Sequence, residues 1–173
     1  MIGATAVLAS VSVADGDGLD VTGTTTTSGA VRLSAGRHTF GCTSVKLDYA
    51  LDPGAKTPTG MVLGRVSSST WNGCTGPGGS LPLKQVGVWS VEARSGLVGG
   101  SGSVAVGDIV VTLTSPACKL EVRGSARATL NVDDKTVTVA SPESDLVTSN
   151  VVGCLGQVKN GDAAALGGTF ALS

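Results

Sequence analysis

The sequence predicts an all-β fold, an antiparallel β-sandwich or barrel built as two similar halves. Three observations carry this expectation. Apolar and polar residues alternate with period two, most clearly over 118–123, where Cys118, Leu120 and Val122 share one face and Lys119, Glu121 and Arg123 the other. Glycine makes up 26 of 173 residues, about twice the usual ~7%. With abundant Val, Thr and Ser, it favours short strands and frequent turns over helices. Finally, one order of features occurs twice: a strand, a cysteine, a strand pair, Gly-Cys, a Gly-rich loop and an aromatic strand. Residues 65–73 lead into Cys74 as 145–153 lead into Cys154.

Taken in order, residues 1–14 are small and apolar and end in Ser12-Val13-Ala14. They read as a signal-peptide remnant or a first strand. Residues 15–94 form the first β half. Asp15, Asp17 and Asp20 resemble a calcium loop, but Thr26 stands where such a loop needs a bidentate Glu, so the segment reads as a polar turn. Thr24 to Ser28 is a polar run, either a loop or an exposed strand. Strands are expected at 31–33, 39–42, 45–51 and 61–66, with Asp52-Pro53-Gly54 as a turn. Alternation shifts after Cys42, which calls for a bulge near Thr43-Ser44. Residues 74–80 form a Gly-rich loop that lacks the Lys-Ser/Thr of a phosphate loop. Residues 83–93 read as one strand that changes phase between Val88 and Trp89.

Residues 95–103 are a Gly/Ser-rich linker, and 104–173 form the second β half. Gly107-Asp108 is expected to turn the chain before a strand at 109–113. Gly124-Ser125 should break or bulge the strand that 126–132 resumes. Asp133-Asp134-Lys135 then turns into a return strand at 136–140, a hairpin. Pro142, having no N–H for the ladder, should stop it.

The four cysteines, Cys42, Cys74, Cys118 and Cys154, include no close C-x-x-C pair. Zinc fingers and thioredoxin-like chemistry both want such a pair. Two disulfides in an oxidising compartment are the reading instead. Three connectivities are open; the repeat favours Cys42–Cys74 and Cys118–Cys154.

Net charge is −1 with no Lys/Arg cluster, which argues against nucleic acid as a partner. No apolar run approaches 18 residues, so no transmembrane helix is expected. Five aromatic residues cannot form the two girdles of a membrane barrel. His38 is the single histidine and reads as an exposed or edge residue rather than a base. Asp48, Glu92 and Glu121 sit on polar strand faces; a paired-carboxylate hydrolase would have to use such groups. No catalytic set, cofactor loop or metal cluster emerges. The candidate ligand or interface residues are Trp71, which could cover its disulfide, Trp89, which alternates with core positions, and Tyr49.

The ending runs from Gly153-Cys154-Leu155-Gly156, through Gly161-Asp162-Ala163, to Gly168-Thr169-Phe170-Ala171-Leu172-Ser173. Together with the cysteine order it resembles small secreted four-cysteine, Val/Thr/Gly-rich actinobacterial proteins of unknown function. The resemblance implies export and a β-fold and transfers no catalytic residue. Three functions follow as expectations. The first is a secreted or cell-surface, non-enzymatic protein for structure, assembly or attachment, pairing with itself or a cell-wall component. The second is an extracellular carrier or binder of a small apolar ligand. The third is a hydrolase using surface carboxylates.

Overall fold

The computed structural model describes residues 12–14, 18–27, 31–51, 62–76, 79–94, 101–131 and 134–171. Its strands follow in the order β1 (Ser12–Ala14), β2 (Gly18–Thr27), β3 (Val31–Ala35), β4 (His38–Cys42), β5 (Ser44–Leu51), β6 (Val62–Asn72), β7 (Thr75–Gly76), β8 (Gly79–Ser80), β9 (Leu83–Gln85), β10 (Trp89–Ala93), β11 (Ser101–Ser115), β12 (Cys118–Asn131), β13 (Thr136–Gly153) and β14 (Ala163–Ala171). A short turn, Cys154–Gly156, separates the last two. No helix among the described residues is long and apolar enough to cross a membrane.

Eight strands close on themselves. β2, β5, β6, β10, β11, β12, β13 and β14 pair antiparallel in that order, and β14 returns to β2 through Phe170↔Thr27 and Ala171↔Thr26. Closure satisfies the backbone groups that an open sheet would leave bare. Four staves come from each half of the chain, and ladder partners recur with a fixed offset. Val21↔Leu51 and Ala35↔His38 in the first half match Ser101↔Asn131 and Ser115↔Cys118, each 80 residues later. This offset sets His38, not Cys42, against Cys118.

The long strands β11, β12 and β13 serve two storeys. Their segments 101–106, 126–131 and 136–139 lie in the closed ring. Beyond a register shift they pair on with β9 and with the start of β14, and the sheet continues through β3, β4 and β7. This second storey is filled largely by apolar side chains. Leu33, Phe40, Leu113, Leu120, Val122 and Leu146 are buried in it. Both disulfides, Cys42–Cys74 and Cys118–Cys154, lock it. Thr148 is the one buried polar residue among those described; its hydroxyl donates to the carbonyls of Lys159 and Asp162. Where β13 ends, Gly153, Cys154, Leu155 and Gly156 all have positive φ, of 76°, 60°, 54° and 68°. This rare run leaves Leu155 78% exposed.

Several expectations change on contact with the structure. Gly107-Asp108 is not a turn: β11 runs through it, and the extra residues form a bulge between Val106 and Ile109. Asp108 has φ 55° there, and its carboxylate accepts from Ser90 Oγ at 3.0 Å. Pro142 does not stop its strand. β13 continues past it because the ladder to β12 jumps from Val139 to Ser144, and a bulge is where a missing N–H is tolerated. Residues 83–93 are two strands, β9 and β10, interrupted at 86–88. Among the described residues the first pairs with β11 alone, the second with β11 and β6. The Gly-rich stretch 74–80 contains the small β7–β8 ladder. The strand expected at 61–66 reaches Asn72, and the polar run after Thr24 belongs to β2 up to Thr27. Near Thr43 the strand breaks where a bulge was expected: Thr43 separates β4 from β5 and donates its N–H to the Asn72 carbonyl at 3.0 Å. Asp15, Asp17 and residues 95–100 of the linker lie outside the described residues; Ser101 to Ser103 open β11.

Candidate functional site

An eight-stranded barrel has a lumen just wide enough for side chains to fill. Here the filling is incomplete. A void of about 80 Å³ remains inside the closed ring, and every residue lining it is aliphatic or aromatic. Alternation along each stave aims these side chains inward. β5 supplies Tyr49, β6 supplies Trp71, β10 supplies Trp89 and β14 supplies Phe170. Smaller groups, among them Val104, Ala126 and Leu130, complete the wall. The chain has five aromatic residues, and four of them meet here. Trp89 is 3% exposed and Phe170 4%; Trp71 is only partly buried.

The void is smaller than the ~150 Å³ cavity that admits benzene in an engineered core. It lies well below the ~300–1,000 Å³ of a drug-sized pocket.

One seam in the wall is irregular. The β6–β10 ladder ends at Val66↔Trp89, so residues 67–72 of β6 have β5 as their only strand partner among the described residues. Gln85, the last residue of β9, spans the seam. Its Nε2 donates to the Val66 carbonyl at 3.2 Å and to the Gly87 carbonyl at 2.9 Å. Its Oε1 has no partner among the described residues, and neither has the buried Trp89 Nε1. Trp71 differs: its Nε1 donates to Ser69 Oγ at 2.9 Å.

Tyr49, Trp71 and Trp89 thus stand around one lumen, with Val45 of β5 paired to Trp71 across the ladder. Phe170 joins them, and Gln85 spans the neighbouring seam without lining the void; neither was a candidate on sequence grounds. Phe170 carries a signal, since the segment 168–172 matches 87–91 around Trp89. Gln85 carries none.

The carboxylates are spread over the outer surface with separate partners. Asp48 Oδ2 accepts from Ser68 Oγ at 2.5 Å. Glu92 lies 4.0 Å from Arg94. Glu121 accepts from Arg123 Nη2 at 2.8 Å and from Asn150 Nδ2. The Arg123 hydrogen bond, helped by Asn150 and against the effect of burial, holds the Glu121 carboxyl below its ordinary range. A general acid needs the opposite displacement. Among the described residues no group of three or more His, Cys, Asp or Glu could hold a metal ion. At the disulfide-locked end, a second hollow of about 140 Å³ is lined by His38, Phe40, Leu81 and Leu155, with the Cys118–Cys154 bridge. His38 and Phe40 have ring centroids 6.3 Å apart.

No protein family matches the chain, and neither does any curated protein or solved structure.

Proposed function

We propose that this chain is an extracellular, disulfide-stabilised, non-enzymatic barrel that binds a small apolar group in its lumen. The carrying observation is the convergence of Tyr49, Trp71, Trp89 and Phe170 on one apolar void. In a chain with 3% aromatic residues, most of the aromatic surface is spent on that wall. Two formed disulfides support an oxidising compartment. The resemblance to small exported four-cysteine proteins points the same way. The 80-residue ladder offset supports two tandem halves that share one ring.

Tryptophan fluorescence of the whole protein, titrated with n-pentane, tests the reading. A saturable response is expected, because Trp71 and Trp89 both line the void. A response that rises linearly, or none, would sink it.

A second reading is attachment, to another copy or to a cell-wall component. Leu155 favours it, since a left-handed turn beside a disulfide holds this apolar side chain in solvent. Native mass spectrometry separates the two readings: a monomer with bound hydrocarbon against an assembly weakened by Leu155→Ser.

A further inference from the structure

We propose that Asn72 is a self-modification site: the Gly73 nitrogen closes on the Asn72 side chain to form a succinimide, which water opens to an aspartyl or isoaspartyl residue. This goes beyond the lumen reading above and does not depend on it.

The chain has four asparagines, and two of them, Asn72 and Asn160, precede glycine. Ring closure needs the next residue's nitrogen to reach the asparagine Cγ. Glycine permits this, having no Cβ in the way. Asn131 and Asn150 precede valine, whose branched Cβ crowds the approach.

Exposure does not separate the two Asn-Gly pairs, since all four residues are exposed. Local shape alone would favour Asn160, which stands in a turn, whereas Asn72 ends β6. Hydrogen bonding reverses that order. The Gly161 N–H donates to the carbonyl of the buried Thr148 at 2.8 Å. The Asn160 side chain is tied as well, its Oδ1 accepting from the Val151 N–H at 2.9 Å. At the other pair, the Gly73 N–H has no hydrogen-bond partner among the described residues. The Asn72 amide makes one long contact, Nδ2 to Ser44 Oγ at 3.4 Å.

A peptide nitrogen attacks after shedding its proton, and the negative charge then spreads to the adjoining carbonyl oxygen. For Gly73 that oxygen belongs to Asn72. It already accepts from the Thr43 N–H at 3.0 Å and from Thr43 Oγ1 at 3.1 Å. Donors fixed where charge develops favour the charged form. In the reaction, water takes the Gly73 amide proton, the bond from that nitrogen to Asn72 Cγ forms, and the Cγ–Nδ2 bond breaks. The amide nitrogen leaves as ammonia, with a proton from water. One water then opens the ring at either carbonyl, and nothing is oxidised or reduced. Both products add a negative charge at the end of β6, next to Trp71 of the lumen wall.

The test incubates the whole oxidised protein in mildly alkaline buffer and follows the amide-to-acid mass change at both sites by peptide mapping. Conversion is expected to be roughly 5- to 100-fold faster at Asn72 than at Asn160, where two hydrogen bonds must break first. In the reduced, urea-unfolded chain the two rates should converge. Equal or faster conversion at Asn160 in the folded protein would overturn the proposal, as would a preference for Asn72 that survives unfolding at full size. Hydroxylamine, which cuts a chain at a succinimide, gives a second readout on denaturing gels. A cut after Asn72 puts Cys42 and Cys74 on different pieces, which their disulfide holds together until reduction. A cut after Asn160 frees residues 161–173, which contain no cysteine, without reduction. The first pattern is expected, and the second as the main product would refute the assignment.

Discussion

Trp89 and Val66 are ladder partners at the point where β10 leaves β6, and the Val66 carbonyl receives the Gln85 amide. One short stretch of wall thus holds the more buried indole and the side chain that spans the seam. The two tryptophans should therefore differ in stability. Trp89→Ala removes a buried ring and should cost about 3–5 kcal/mol. Trp71→Ala should cost clearly less, since Trp71 is only partly buried. Urea unfolding at neutral pH measures both. Equal losses would mean that the two rings are equally packed.

Ala126 is 1% exposed and lines the void. Ala126→Val adds two carbons to a space able to take them, so each can contribute up to ~0.8 kcal/mol. The expected outcome is an unchanged or raised urea midpoint together with loss of the n-pentane response. A loss of ~1–3 kcal/mol would be the signature of overpacking and would show that the lumen is already full.

Much of this architecture is legible in the sequence because strand alternation and turn chemistry are local. The faces of residues 118–123 follow from side-chain period alone, and the disulfide pairing observed is the one of three that the repeated spacing favours. Closure is not legible. It depends on Phe170 meeting Thr27, a contact between the chain's two halves that no local pattern encodes. Pro142 and Gly107-Asp108 mislead for one reason. Each breaks a ladder locally, but long partners on both sides carry the strand across as a bulge. Of the site, the aromatic residues stand out by their rarity. Gln85 does not, because its role comes from a gap in pairing rather than from its residue type.

Gly124 offers a test of the bulged register. It sits at φ 136°, and a Cβ there would drive into the Asp145 carbonyl oxygen, well inside van der Waals contact. Backbone cannot yield as a flexible side chain can, so Gly124→Ala should cost more than ~3 kcal/mol or prevent folding. Gly161 has φ 86°, and a Cβ added there would meet nothing within 4 Å. Gly161→Ala should cost only the conformational term, about 1–2 kcal/mol. Thermal melts of the two variants compare them. Similar melting points would contradict the close approach of β12 and β13 at Gly124.

The Glu121–Arg123 pair predicts a pH dependence with a definite sign. The Glu121 side chain is 15% exposed and lies 2.8 Å from Arg123 Nη2. That hydrogen bond, aided by Asn150, lowers its pKa in the folded protein. The folded state therefore holds the ionised form more firmly than the unfolded chain does. Its contribution is fully present above the unfolded carboxyl range, near ~4.3, and is lost as pH falls through the lower folded value. Glu121→Gln should accordingly destabilise the protein at pH 7 by roughly 1 kcal/mol or less, because Arg123 is half exposed and the pair is screened. The difference from wild type should shrink as pH falls below the unfolded carboxyl range and vanish once the folded Glu121 carboxyl is itself protonated. Urea midpoints of both proteins at pH 7, 5 and 3 measure it. A deficit that persists unchanged at pH 3 would mean that Glu121 acts through packing rather than through its charge.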